Sequence, residues 1–252
     1  MGKQARSRSR ELRQAREAAL RRTRRRNRLV AGGGGLVILG LVVAIVVGLV
    51  NAAGRSGVDD GGKPLVAPAG ATAQGALRVG QASAPVRLEV FLDYMCPFCG
   101  RFERANGAEV ERLVAEGTVR LELYPLAFLD RVSAGTRYST RAANAVATVA
   151  DRAPERLLAF HTALFAHQPE EGDPGPTDDE IGDLALGAGV PEAVVSTFSE
   201  GIFQPWIATF TETAFNNAIT ATPTVRVNGK VVAGDLYTAG ALTRAVADAK
   251  NP

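Results

Sequence analysis

The run from Val86 to Cys99 constrains this chain more than any other. Val86, Leu88 and Val90 alternate with Arg87 and Glu89, the two-residue period of a strand, and the strand leads through Asp93-Tyr94 into Cys96-Pro97-Phe98-Cys99. Pro97 suits the first turn of a helix, where its missing N–H costs nothing. Phe98, Phe102, Val110, Leu113 and Val114 continue a helical stripe to Gly117, and Val119 to Tyr124 reads as a second strand. The pattern predicts a β-α-β unit with its two cysteines at the strand-to-helix turn. They are the only cysteines among 252 residues. A bridge closing so short a loop removes little entropy from the unfolded chain, so stability is a poor reason for the pair. A dithiol at a helix start is instead suited to exchange, because the helix terminus stabilises the thiolate, which is the attacking species. Cys96 is expected to be exposed and nucleophilic. Cys99, one turn in, is expected to be shielded and placed to resolve a mixed disulfide. An inert structural bridge is the competing reading.

The same spacing makes half of a zinc site, but the other half is missing. The only histidines, His161 and His167, lie far along the chain and point apart on a helix, so no metal and no cofactor are expected. Residues 131–219 read as a helical block: Thr136 to Asp151, Pro154 to His167, Asp178 to Leu186, Pro191 to Glu200 and Phe203 to Ile219. His161 on an apolar face reads as a satisfied core residue, and Phe203, Trp206 and Phe210 as core rather than as a peptide groove. Strands return at Thr224 to Val227 and Lys230 to Val232 around Asn228-Gly229, a two-residue hairpin signal. A last amphipathic helix, Ala239 to Lys250, follows.

Charge divides the chain. Residues 1–28 hold 12 Lys+Arg against Glu11 and Glu17, a net +10, while the remainder is −7. Residues 29–50 are an uncharged run that as a helix would span about 33 Å, enough for a hydrocarbon core of roughly 30 Å. The basic segment before it places the N-terminus in the cytoplasm and the rest outside. No aromatic residue stands among the first 28 to stack on bases, which argues against a nucleic-acid arm. A cleaved signal peptide remains an alternative to an uncleaved anchor. Residues 51–75, rich in Gly, Ala and Pro, read as a flexible linker, and 76–252 as one folded domain.

Two segments, Val90-Phe91-Leu92-Asp93-Tyr94-Met95-Cys96-Pro97-Phe98-Cys99 and Ala221-Thr222-Pro223-Thr224-Val225-Arg226-Val227-Asn228-Gly229-Lys230, resemble the DsbA-like branch of the thioredoxin superfamily. They bracket the helical block in the right order, and the similarity runs from about Ala76 to the end. The resemblance implies an α/β, thioredoxin-like fold with an inserted helical subdomain, here preceded by one transmembrane helix. It implies catalysis by Cys96 and Cys99, an active-site motif completed by Pro97 and Phe98, and a cis Pro223 beside the pair. It also implies that the backbone of Thr222 pairs with the substrate. The implied partners are exported proteins bearing reduced cysteines and a membrane reoxidant, DsbB-like or vitamin K epoxide reductase-like.

Two positions depart from the family pattern. Phe98 stands where strongly oxidising relatives often carry histidine, so a moderately oxidising dithiol is expected. Val90 stands where many relatives bury an acid, and Glu89 faces the other way by strand alternation. A reductase or isomerase on the same fold, or a tethered binding module, are the rival readings.

Overall fold

The structure, a computed structural model, describes residues 65–250. The basic segment, the expected span at 29–50 and most of the expected linker lie outside the described residues. Among the described residues no helix is long and apolar enough to cross a membrane.

Five strands form one sheet: β1 (Leu77–Val79), β2 (Val86–Leu92), β3 (Val119–Pro125), β4 (Thr224–Val227) and β5 (Lys230–Val231), in the order β1-β3-β2-β4-β5. β2 and β3 run parallel because α1 (Pro97–Ala115) carries the chain back between them, and every other pairing is antiparallel. Strand β1 went unread in the sequence. It is three residues long, too short for a two-residue period to register, and it exists by pairing Leu77 with Leu123.

The inner face of β2 carries Val86, Leu88, Val90 and Leu92, which join Leu121, Leu123, Val225 and Val227 in the main core. Helix α1 packs over β3, and α7 (Ala241–Lys250) packs over β2 and β4 through Leu242 and Val246. On the opposite face Phe91 and Tyr124 stack at 4.1 Å and are covered by Phe210, Ala214 and Ile219. Glu89 shares this second face, opposite Arg226, and is paired with Arg87 at 3.5 Å. Its alternation away from Val90 is as expected. Both faces of β2 are therefore covered, so Glu89 is only 6% exposed although the strand reads as half-solvated.

Between β3 and β4 lies the helical block, made of α2 (Tyr138–Arg152), α3 (Leu157–Ala166), α4 (Asp178–Gly187), α5 (Glu192–Val195) and α6 (Gln204–Asn216). The expected helix from Pro154 breaks into a 3-10 turn, Pro154–Arg156, before α3. The expected helix Pro191 to Glu200 breaks into α5 and a second turn, Phe198–Glu200. Helix α2 is the hub. Ala142, Ala143, Ala145, Val146, Ala147 and Val149 are all buried, because it is enclosed by α3, α5 and α6. Short alanine side chains let those helices approach closely. Phe203 and Trp206 are buried, as expected of core residues.

A single polar side chain stitches this hub to the return path. Asn144, 2% exposed, donates to the Phe198 carbonyl at 2.9 Å and accepts from the Phe203 N–H at 3.0 Å. Asn144→Ala leaves the buried Phe203 N–H unpaired, while the Phe198 carbonyl keeps the Gly201 N–H at 3.2 Å. An unpaired buried donor costs about 1–3 kcal/mol, which the domain should lose in denaturant unfolding, with the α6 region opening first in hydrogen exchange.

Candidate active site

The two cysteines sit where the sequence places them. Cys96 is the N-cap of α1, in extended geometry, and Pro97 is its first residue. Cys96 N donates to the Asp93 carbonyl at 3.0 Å, while the N–H groups of Cys99 and Gly100 close on the Cys96 carbonyl at 2.9 and 3.2 Å. The two thiols are unbridged. β4 runs antiparallel to β2, with Phe91 opposite Thr224, so the residues just before β4 lie against those just after β2. That topology brings Thr222 to the nucleophile: Cys96 Sγ lies 3.3 Å from the Thr222 carbonyl oxygen, and the Thr222-Pro223 peptide bond is cis. Phe98 points outward and is half exposed. The expected exposure of Cys96 is corrected. The residue as a whole is 5% exposed against 1% for Cys99, because the Thr222 segment closes over its sulfur.

The environment divides the thiols. The Cys99 thiol, as a donor to the Cys96 sulfur, does most to lower Cys96 from 9.0 to about 6. Burial opposes the shift, and the Thr222 side chain and the N–H groups of Cys99 and Phe98 at the helix start reinforce it. Cys99 moves the other way. Burial raises it well above the usual thiol value, and its bond to Cys96 and the neighbouring thiolate charge add to the rise. One sulfur is thus poised as a thiolate and the other is held as a thiol.

Three buried ties fix this turn. Asp93, wholly buried, accepts from Met95 N at 2.9 Å and Ser139 Oγ at 2.7 Å on one oxygen, and from Leu129 N at 2.9 Å on the other. Burial raises its carboxyl to about 7 against those donors. Gln168, just past α3, donates from one nitrogen to the carbonyls of Tyr94 at 3.0 Å and Cys96 at 2.8 Å. His161 bridges Tyr94 Oη at 2.9 Å and Glu103 at 3.2 Å. With the phenol donating to Nδ1, Nε2–H donates to the carboxylate. Burial works against the Glu103 anion, but His161 and Thr162 outweigh it and leave the carboxyl lowered. His161 is accordingly a satisfied buried residue, as the sequence suggested. Among the described residues no group of three His, Cys, Asp or Glu is placed to hold a metal.

The thioredoxin family profile matches residues 72–247, well over half of the chain. The chain belongs to the thioredoxin family. Within it the chain is DsbA-like. It is similar to DsbA from Mycobacterium tuberculosis, with 32% identity and a TM-score of 0.61 over 70% of this chain and 93% of that one. It is equally similar to the disulfide bond oxidoreductase DsbG of the same organism, with 32% identity and a TM-score of 0.61 over 70% of this chain and 88% of that one. Among curated proteins it is 34% identical over 127 residues to the serine/threonine-protein kinase PknE of M. tuberculosis; the match covers 49% of this chain and only 22% of the kinase.

In this thioredoxin-family site, Asp93 and Gln168 are the residues that sequence reading did not single out. Asp93 carried a signal, an acid at the point where an alternating strand turns into an apolar helix. Gln168 carried none, since its partners lie 72 and 74 positions away.

Two outcomes are expected here. Folding lowers Cys96, so the stability it gives the reduced protein is complete above 9.0 and is lost as pH falls through about 6. Asp93 has the opposite sign, because its folded value lies above 3.8, and stability falls as pH rises toward about 7. If Asp93 titrates alike in both redox forms, the reduced-minus-oxidised melting difference cancels it and should shrink toward pH 6, in step with thiolate ultraviolet absorbance. Gly100→Ala places a Cβ 2.0 Å from Gln168 Oε1. It should expel that side chain, break its bonds to the Tyr94 and Cys96 carbonyls and cost about 1–3 kcal/mol in denaturant unfolding.

Proposed function

We propose that the chain is an extracytoplasmic thiol–disulfide oxidoreductase that donates the Cys96–Cys99 disulfide to exported proteins bearing reduced cysteines. The observation that carries this reading is the opposed pair of thiols beside Thr222-Pro223, Cys96 held down to about 6 and Cys99 held up by burial. A substrate thiolate attacks Cys96 Sγ in the oxidised enzyme. The Cys96–Cys99 bond breaks, the Cys99 sulfur takes a proton, and a mixed disulfide joins substrate to Cys96. A second substrate thiolate then attacks the substrate sulfur and releases Cys96 as a thiolate, a good leaving group at its lowered value. Two substrate thiols become one disulfide, and the enzyme gains the two electrons. On this reading the incoming peptide pairs with the backbone of Thr222, whose carbonyl lies 3.3 Å from Cys96 Sγ. A DsbB-like or vitamin K epoxide reductase-like membrane protein returns the electrons to an acceptor and restores the disulfide. The basic segment followed by the uncharged run at 29–50 supports a single-pass anchor with this domain outside.

Cysteine replacement tests the assignment. Cys99→Ser should accumulate mixed disulfides with exported proteins, while Cys96→Ser should fold and lose all exchange. Equilibration of the wild type with glutathione should give a potential above the about −270 mV of thioredoxin and below the about −120 mV of DsbA. A value at or below the thioredoxin one would make the protein a reductase. Identical behaviour of the two mutants would return the pair to a structural role.

A further inference from the structure

Beside the nucleophile lies a surface that the exchange chemistry does not use. Phe98, between the cysteines, is 50% exposed. Its ring lies 5.9 Å from that of Tyr237, at 49°, and the guanidinium of Arg101 sits over both, 5.6 Å from the Phe98 centroid and 4.5 Å from that of Tyr237. Arg101 is one turn along α1 from Phe98, so the helix presents both on one side. Among the described residues Arg101 has no carboxylate partner. The charge is exposed, unpaired and held in place by two rings.

The platform is also built rather than incidental. Tyr237 lies in the loop after β5, and that loop is clamped to α1. Asn106, 2% exposed, donates to the Leu236 carbonyl at 2.8 Å and to the Phe102 carbonyl at 2.9 Å, and Leu236 is itself buried. Asp235, the nearby acid, accepts from Tyr237 N at 2.8 Å and Thr238 Oγ1 at 3.0 Å and so is engaged by its own loop. Both cysteines are close enough to bear electrostatically on the Tyr237 hydroxyl.

We infer that Phe98, Arg101 and Tyr237 form a subsite that reads the residue flanking the substrate's reacting cysteine and favours polypeptides with an acidic side chain there. This rests on the exchange reading above. When a substrate sulfur is bonded to Cys96, its neighbouring side chain on this side lands on the two rings. A carboxylate there meets the one cation of the platform, its stem lies on aromatic surface, and a lysine at the same place meets like charge.

The test is the rate of disulfide transfer from the oxidised full chain to three reduced peptides that differ only in the residue beside cysteine: Glu, Gln or Lys. The peptides' own thiol reactivity differs, so the readout is the Glu-to-Lys rate ratio of each variant relative to wild type. Arg101→Gln should lower that ratio about five-fold, the size of an exposed ion pair worth about 1 kcal/mol at 1.4 kcal/mol per tenfold. Arg101→Glu should lower it further and reverse the preference. Added salt should shrink the wild-type ratio and leave that of Arg101→Gln unmoved. Tyr237→Ala, which removes the closer ring, should fall between wild type and Arg101→Gln. If all variants exchange disulfides with the same ratio, the subsite is wrong and the oxidoreductase reading stands. If wild type exchanges with none of the peptides, both fall.

Discussion

A carboxylate buried without a cation holds this site together. Asp93 is fully enclosed, and its three donors come from three different places: the turn before Cys96, the loop after β3 and the first turn of α2. Leaving such a group unsatisfied in the interior would cost several kcal/mol, so each donor is held firmly once the fold closes. The helical block lies between β3 and β4 in the chain, and its hub starts at Asp93 through Ser139. The orientation of the block and the geometry of the cysteine turn are thereby one constraint.

Gln168 supplies the second fixed point from the far end of α3. The Cys96 carbonyl receives the two helix-closing N–H groups and the Gln168 amide, which pins the residue that carries the nucleophile. Gly100 is glycine because the Gln168 oxygen occupies the place of its Cβ. Such a rigid turn lets one helix terminus act unequally on two sulfurs three positions apart. Cys96, at the cap, takes the N–H groups of the first turn. Cys99, inside that turn, takes the burial instead.

The parts of this molecule written locally were legible in its sequence. The alternation of Val86 to Val90, the Pro97 start of α1, the Asn228-Gly229 hairpin and the final helix are near-neighbour patterns, and they stand within a few residues of where they were read. The cis Thr222-Pro223 bond was legible only through the family resemblance, since nothing in the local residues distinguishes it. What escaped depends on distant contacts. β1 exists by pairing, Cys96 is covered by a segment 126 residues away, and Gln168 acts on carbonyls whose sequence neighbours give no hint of it. The expected helix from Pro191 to Glu200 broke because Phe198 turns inward to stack on Phe160 at 5.9 Å and hands its carbonyl to Asn144.

The division between backbone and side chain bears on what this site can vary. Thiolate stabilisation comes from the Cys99 thiol, the Thr222 side chain and main-chain N–H groups. The side chains of Phe98, Arg101 and Tyr237 lie outside that set and touch one another. The hydrogen bonds that hold the thiolate and the side chains that form the platform are therefore different groups. An aromatic residue at position 98 leaves the thiolate to the backbone and Cys99, and frees the side chain to form a recognition surface with the clamped loop. A charged residue there would bind the two properties together, because any change that altered recognition would also alter the potential.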